Sequence, residues 1–222
     1  MSARGHDGSE NHLPAHYGAG SSGVDDLRAV LDAEQLDRVS LFGHSAGGVT
    51  AFVFACRYPD RVASLILVEP TLLPLLPPAD RAPIVAAHET IAAAAEAGGP
   101  EAGVRALMAS VGGESWTRLD AATQASRVRA LASSAMMVGP HARGLLDLQV
   151  TEAHVRGLRP PVLLFNGTDS APFEGIMASR FRALRPDIQA ITVERAGHNV
   201  HRDRPDIVNP AVLSFLAPAL ES

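Results

Sequence analysis

Lysine is absent from the chain, because all 19 basic residues are Arg. This absence excludes reactions that need a side-chain amine, such as the Schiff base of pyridoxal enzymes or the phosphate-binding lysines of P-loop proteins and kinases. The formal net charge is -5, the arginines are scattered singly, and aromatic residues make up 5% of the chain. The sequence therefore has neither the basic stripe nor the aromatic platforms of a nucleic-acid binder, and we predict no nucleic-acid partner.

Cysteine occurs once, at Cys56, so the chain can form no internal disulfide and no cysteine zinc cage. No apolar run approaches the ~18 residues that cross a bilayer, and the first residues lack the pattern of a secretory signal. Apolar residues are 46% of the 222. These features predict a soluble cytoplasmic protein without a membrane anchor, built as one large domain or a core with one insertion.

Strand and helix patterns alternate over most of the chain. From the periodicity we predict helices near 24–36, 49–58, 173–184 and 205–216, and buried strands near 39–42, 65–68, 161–165 and 190–193. Residues 1–23 have no periodicity and are predicted to be loop. Parallel strands alternating with helices are typical of an α/β fold.

The block from residue 71 to 150 has a different pattern. It is rich in Ala, apolar at helical spacing, and broken at Gly and Pro pairs. We predict about four helices and no strand there. The expected domains are a core formed by residues 1–70 and 151–222, with a helical insertion at 71–150.

A G-x-S-x-G pattern, Gly43-His44-Ser45-Ala46-Gly47, lies between a predicted strand and a predicted helix. A tight turn there projects the Ser45 hydroxyl above the sheet as a nucleophile, with Gly43 and Gly47 leaving room for neighbouring chain. The backbone N–H of Ala46, at the helix N-terminus, faces a developing oxyanion. The alternative is that this glycine turn only packs closely or binds phosphate.

A serine nucleophile needs a histidine base and an orienting carboxylate, in the chain order Ser, acid, His. His198 follows the last predicted strand, and Asp169 follows the strand before it. We therefore predict a catalytic triad of Ser45, Asp169 and His198. His201 forms H-x-x-H with His198, but zinc enzymes of that kind use H-E-x-x-H on a helix, and we predict no metal site.

The chain resembles the α/β-hydrolase fold family over nearly its whole length. The matching segments, in order, are RGH at residues 4–6, GHSAGG at 43–48, LILVEP at 65–70, PPVLLFNGTD at 160–169, and AGH followed by DRPD at 196–206. The resemblance implies a mostly parallel sheet flanked by helices, a Ser-Asp-His triad, no cofactor, and a helical cap inserted after the sixth strand of the family.

Two departures from the family pattern affect these expectations. The family's acid often lies three residues after the strand-end glycine, where this chain has Ser170, and Asp169 comes one residue earlier. Some members place the acid at the end of the sixth strand instead. Glu69 occupies that end, so it is the alternative acid, or else a carboxylate that caps the first helix of the insertion.

The second departure is at the N-terminus. In the family, three strands and a loop that supplies a second oxyanion donor precede the Arg-Gly-His segment, whereas only three residues precede Arg4 here. We therefore expect N-terminal strands one to three to be missing and the chain to be a fragment. The strand at 39–42 would then have an unpaired edge, which predicts aggregation or a homodimer through that edge.

The primary hypothesis is an esterase-like serine hydrolase (class EC 3.1.1) that cleaves an ester or related acyl bond of a small molecule. The alternatives are a catalytically impaired ligand-binding protein of the same fold, and a truncated product without function. The same triad and cap serve many reactions, so the sequence does not identify the substrate.

Overall fold

The computed structural model describes Ser9, Gly18, residues 20–132 and residues 148–220. The Arg4-Gly5-His6 segment lies outside the described residues, and so do residues 133–147 of the predicted insertion. The strands are β1 (Val39–His44), β2 (Val62–Val68), β3 (Val162–Gly167) and β4 (Gln189–Val193). The α-helices are α1 (Ser22–Ala33), α2 (Ala46–Arg57), α3 (Pro78–Gly98), α4 (Pro100–Val111), α5 (Gly113–Thr117), α6 (Ala121–Ala132), α7 (Glu152–Arg156), α8 (Pro172–Leu184), α9 (Val200–Asp203) and α10 (Pro205–Leu220).

The four strands form one parallel sheet in the order β1-β2-β3-β4. His44 pairs with Val68, Val68 with Phe165, and Gly167 with Val193. The carboxyl ends of the strands therefore lie at one edge of the sheet. The loops that follow the strands bring Ser45, Glu69, Asp169 and His198 to that edge.

Both faces of the central strands are buried, which explains why β2 and β3 are continuous apolar runs. Leu65 and Leu67 of β2 pack on one face with Phe52 of α2 and Phe181 of α8. The alternate residues face the other side of the sheet. The buried residues of that second cluster are Ile66, Val68, Leu163, Phe165, Val193, Ala196, Val200 and Val208. The sheet between two layers of helices confirms the predicted α/β fold class.

β1 departs from the expected buried strand. Ser40 and Phe42 are exposed, Phe42 to 47% of its surface. Within the described part of the sheet, β1 has a partner on one side, β2. A homodimer through this edge stays a prediction.

Between β2 and β3 the described residues form five α-helices, α3 to α7, and a short 3-10 helix, Leu73–Leu75, with no strand. We call residues 78–132 the helical segment. It reaches the core at the loop after β3, where Glu114 N–H donates to Asp169 O at 3.1 Å. In the described residues, no helix is both long enough and apolar enough to cross a membrane.

Candidate active site

Ser45 lies in a strained turn between β1 and α2. Its φ is 53° and its ψ is -122°, a left-handed conformation that costs a non-glycine residue about 1–3 kcal/mol. Its backbone N–H donates to Val68 O at 3.0 Å, which fixes the turn to the end of β2. The turn exposes one hydroxyl at the carboxyl edge of the sheet, the geometry that a nucleophilic serine needs.

The glycines around Ser45 have unequal roles. A Cβ on Gly43 would lie 2.6 Å from Gly47 O and 2.7 Å from Gly48 Cα, and a Cβ on Gly48 would lie 2.9 Å from Pro70 Cβ. A Cβ on Gly47 would meet nothing within 4 Å. The expectation that Gly47 leaves room for neighbouring chain is therefore wrong. Gly43 and Gly48 are the positions where the backbone approaches closely.

The Ser45 hydroxyl lies 3.3 Å from Thr71 Oγ1. Among the described residues, the structure has no hydrogen bond between Ser45 Oγ and His198. Thr71 is almost fully buried, at 9% exposure, and follows Glu69 by two residues. In this resting arrangement the candidate nucleophile pairs with a second hydroxyl, and attack requires the Oγ atom to turn towards a base.

Ala46 is the first residue of α2. Its backbone N–H has no acceptor inside the helix, because the first four N–H groups of a helix lie ahead of their carbonyl partners. The positive end of the helix dipole is at the same place. This N–H is therefore available to a negative oxygen that forms beside Ser45.

His198 lies in the loop between β4 and α9, and its side chain is 10% exposed. Its Nδ1 is 2.7 Å from Glu69 Oε2. Because a carboxylate only accepts, the proton of the neutral ring is on Nδ1, and Nε2 carries the free lone pair. This is the tautomer that a general base at a serine requires.

Glu69 follows β2 directly, and its side chain is fully buried. Its φ is 43°, a second left-handed residue at the sheet edge. Besides His198, Oε1 accepts from Gly167 N–H at 2.8 Å and from Ser170 Oγ at 2.5 Å. Three donors therefore hold this carboxylate against the imidazole.

Asp169, the acid that the sequence favoured, does not contact His198. Its Oδ2 accepts from Arg118 Nη1 of the helical segment at 2.6 Å, and its Oδ1 accepts from Thr168 Oγ1 at 3.1 Å. The loop after β3 places Ser170, not Asp169, next to Glu69. The contact expected of Asp169 is made by the alternative acid, Glu69.

A second buried carboxyl, Glu174, was missed by the sequence reasoning. It lies in the first turn of α8 with its Oε1 3.4 Å from His198 Nδ1. Burial, and to a smaller extent the charge of Glu69, raise the pKa of Glu174 well above its ordinary value. No signal marked this residue, because a glutamate after a helix-starting proline is typical of the solvated end of a helix.

His44 contacts both the ring and the backbone of His198. Its Nε2–H donates to the backbone O of His198 at 2.7 Å, and the two ring centroids are 4.7 Å apart. Burial, followed by the neighbouring His198 and His201, lowers the pKa of His44 to about 3, so this ring is neutral. His201 packs its ring edge against His44 at 4.8 Å. His44 is therefore a structural support of the loop that carries His198.

Glu69, Glu174 and His198 also form a group that could hold a metal ion, since one ligand atom from each lies within 4.8 Å of the others. A metal on His198 Nδ1 would displace the proton that Glu69 accepts. The 2.7 Å bond between those atoms is the orienting contact of a serine hydrolase. We therefore interpret the three side chains as an orienting group and not as a metal centre.

A parallel sheet with a strained serine turn and a paired histidine at its carboxyl edge defines the class of α/β hydrolases. The chain belongs to the alpha/beta hydrolase family, whose model matches residues 1–211.

Among curated proteins, the mouse (Mus musculus) sn-1-specific diacylglycerol lipase ABHD11 is 29% identical over 221 residues, 98% of this chain and 70% of the relative. Carboxylesterase YbfK of Bacillus subtilis is 28% identical over 198 residues, 88% of this chain and 63% of the relative. A solved carboxylesterase structure from Nitrososphaera gargenis superposes with a TM-score of 0.76, 18% identity, and coverage of 99% of this chain and 79% of that chain. The likeness to the solved structure shows the fold alone. The two curated relatives are a lipase and an esterase.

Proposed function

We propose that the protein is a serine hydrolase that cleaves the ester or related acyl bond of a small molecule. The observation that carries the proposal is the 2.7 Å bond between His198 Nδ1 and Glu69 Oε2, at the same sheet edge as the strained Ser45. In this proposal Ser45 is the nucleophile, His198 the base, Glu69 the orienting acid, and Ala46 N–H an oxyanion donor.

The proposed reaction begins when Ser45 Oγ leaves Thr71 and attacks the carbonyl carbon of the substrate. His198 Nε2 takes the hydroxyl proton, and the charge of Glu69 stabilises the imidazolium. The carbonyl oxygen becomes negative and accepts from Ala46 N–H. The proton then passes to the leaving alcohol, and water releases the acyl group from Ser45 by the same steps. Apart from the substrate and water, the proposed reaction uses side chains and backbone groups of the chain.

An ester substrate is supported by the relatives, whose names are those of a diacylglycerol lipase and a carboxylesterase. The contact of the helical segment with the loop after β3 supports a cap over the carboxyl edge, because Arg118 and Glu114 meet Asp169 there. A cap would exclude water from the acyl group, which strengthens the polar interactions of the site.

A second candidate is a ligand-binding protein of the same fold with impaired catalysis. One observation favours it: the hydroxyl of Ser45 pairs with Thr71 and not with His198. The two candidates differ in whether Ser45 becomes covalently modified.

The test is labelling of the purified protein with a fluorophosphonate probe, followed by peptide mapping and by hydrolysis assays with p-nitrophenyl butyrate. We expect label on Ser45, and loss of both label and turnover in Ser45→Ala and in His198→Ala. Ser110→Ala is the control, because Ser110 lies within α4 and not in a strand-to-helix turn. Label on Ser64 or Ser110 with Ser45 unmodified would refute the proposal, and a protein that takes no label would favour the second candidate.

Thiol reagents provide an independent check on the nucleophile. Burial raises the pKa of Cys56 to about 11, so this thiol is protonated and unreactive at neutral pH. Iodoacetamide is therefore expected to leave hydrolysis unchanged.

A further inference from the structure

The second carboxyl beside His198 has no assigned role in the reaction proposed above. Glu174 is fully buried, and among the described residues neither of its oxygens has a hydrogen-bond partner. An unpaired ionised carboxyl at such a site would cost several kcal/mol. Glu174 therefore holds a proton or acts through the one donor near it, His198 Nδ1.

The crevice around Glu174 is mostly apolar. It is lined by Leu164, Phe165, Met177 and Phe181 together with Glu69 and Asn166, and it has no space for a water molecule. The described contact of the Asn166 amide oxygen is with Thr192 Oγ1, and neither oxygen of Glu174 has a hydrogen-bond partner among the described residues. Water therefore cannot satisfy the two oxygens. Of the described titratable groups, Glu69 and His198 lie beside Glu174, the His44 ring packs on His198, and His201 packs on His44.

The two carboxyl groups differ in their hydrogen bonding. Glu69 accepts from His198, Gly167 and Ser170, whereas Glu174 accepts from none of the described residues. Hydrogen bonds to an ionised carboxyl favour the ionised form. The negative charge of the pair therefore lies on Glu69 and the proton on Glu174. The charge of Glu69 opposes a second charge on Glu174, which adds to the effect of burial in keeping Glu174 protonated.

We propose that Glu174 is a second positioning residue for His198, carrying the proton of a Glu69–Glu174 pair and becoming the orienting carboxylate when the charge of Glu69 is removed. This proposal rests on the proposed function, in which His198 is the base. Without Glu69, the nearest acceptor for Nδ1–H is Glu174 Oε1 at 3.4 Å. A small movement of α8 or of the Glu174 side chain brings that oxygen into hydrogen-bond range.

The first experiment compares Glu69→Ala with Glu69→Ala/Glu174→Gln. Both variants carry the same cavity and the same unpaired Gly167 N–H, so they differ in the charge available to His198. We expect kcat/KM of the single variant to exceed that of the double variant by about 10-fold or more, the effect of one carboxylate on a neighbouring cation. Equal activity of the single and double variants would overturn the proposal.

The second experiment does not depend on catalysis, and so it separates a failure of this proposal from a failure of the proposed function. The side-chain carboxyl carbon of Glu174 is followed by ¹³C NMR against pH and assigned by its loss in Glu174→Gln. In the wild type we expect it to titrate well above the ordinary range of a glutamate, and in Glu69→Ala to titrate at lower pH, because the neighbouring charge is gone. A wild-type Glu174 that titrates near its ordinary value of about 4.3 would overturn the proposal, even if Glu69→Ala does not fold.

Discussion

At the scale of single residues, Glu69 has the most constrained side chain in the candidate site. It is buried, its φ is 43°, and its carboxylate accepts from three donors. Asp169 follows the next strand, β3, and is held by Arg118 of the helical segment. The two candidate acids therefore have different partners. Glu69 contacts the base His198, and Asp169 contacts Arg118 of the helical segment.

We expect Glu69→Ala to lower kcat/KM by about 10²- to 10⁴-fold, the range for a base that is lost or wrongly oriented. Asp169→Asn is expected to stay within about fivefold of the wild type, because an ion pair with the exposed Arg118 contributes at most ~1 kcal/mol. The measurement is p-nitrophenyl butyrate hydrolysis, with thermal unfolding as a control for folding. The reverse ranking would return the orienting role to Asp169.

The choice of acid shows where sequence reasoning reached its limit. The position of His198 followed from the order of strands, and both acids were candidates because each follows a strand. Which carboxylate meets the ring depends on the left-handed backbone of Glu69 and on the path of the loop at Thr168 to Ser170. Neither is set by residue type or periodicity, since a non-glycine residue at positive φ is held there by its tertiary surroundings.

At the scale of elements, the turn between β1 and α2 is built on close backbone contacts. Gly43 lies where the end of β1 touches the first turn of α2, and Gly48 lies against Pro70 after β2. These contacts bring the ends of β1 and β2 together. They therefore set the distance between the loop of Ser45 and the loop of Glu69.

Two matched substitutions test this packing. Gly43→Ala is expected to destabilise the protein by about 1–3 kcal/mol, the usual cost of overpacking, because its Cβ would clash with backbone atoms that cannot move independently. Gly47→Ala adds the same methyl group in open space on a helix, and is expected to be neutral or to stabilise by up to about 1 kcal/mol. The measurement is urea unfolding of both variants. Equal losses in the two would show that the close contacts at Gly43 do not hold the turn.

Most helices and strands could be predicted because their patterns are local. The predicted strand at 161–165 is β3, Val162–Gly167, and the predicted helix at 173–184 is α8, Pro172–Leu184. The two short helices α7 and α9 were missed, because four or five residues are too few for a helical period to appear. The predicted strands at 39–42 and 161–165 stop two residues before β1 and β3 end, because the glycine and polar residues at those ends hide the last pairs of the ladder.

At the scale of the whole molecule, the neutral His44 links folding to pH. The pKa of His44 is about 3 in the folded protein, against 6.5 for an ordinary histidine. As the pH falls from 6.5 towards 3, the unfolded chain binds a proton that the folded protein does not, so the free energy of unfolding decreases. The slope approaches ~1.4 kcal/mol per pH unit, and the loss over the window is roughly 4 kcal/mol.

Glu174 changes the free energy of unfolding with pH in the opposite direction to His44. Its raised pKa means that the folded protein holds a proton that the unfolded chain releases above about pH 4.5. This contribution to stability is complete below that pH and is lost as the pH rises through the folded pKa. It therefore offsets part of the acid destabilisation caused by His44, and a variant is needed to separate the two.

His44→Gln retains a donor for His198 O and removes the titrating ring. The free energy of unfolding is measured in urea between pH 7.5 and pH 4. We expect it to fall less steeply with pH in this variant than in the wild type. The two slopes are expected to differ by at most ~1.4 kcal/mol per pH unit, the value for one bound proton. The same comparison in a Glu174→Gln background removes the opposing contribution. Parallel curves for wild type and His44→Gln would contradict the lowered pKa of His44.

The left-handed residues at the sheet edge have a consequence for engineering. Ser45, Glu69 and Arg195 have φ values of 53°, 43° and 57°, and they follow β1, β2 and β4. Glycine adopts this conformation without strain, so a screen that rewards heat resistance alone would favour glycine at Ser45, whereas glycine at Glu69 would leave three buried donors unpaired. Such a screen would gain stability by eliminating the nucleophile. Directed evolution of this protein for thermal tolerance therefore requires that the codon for Ser45 be excluded from the library.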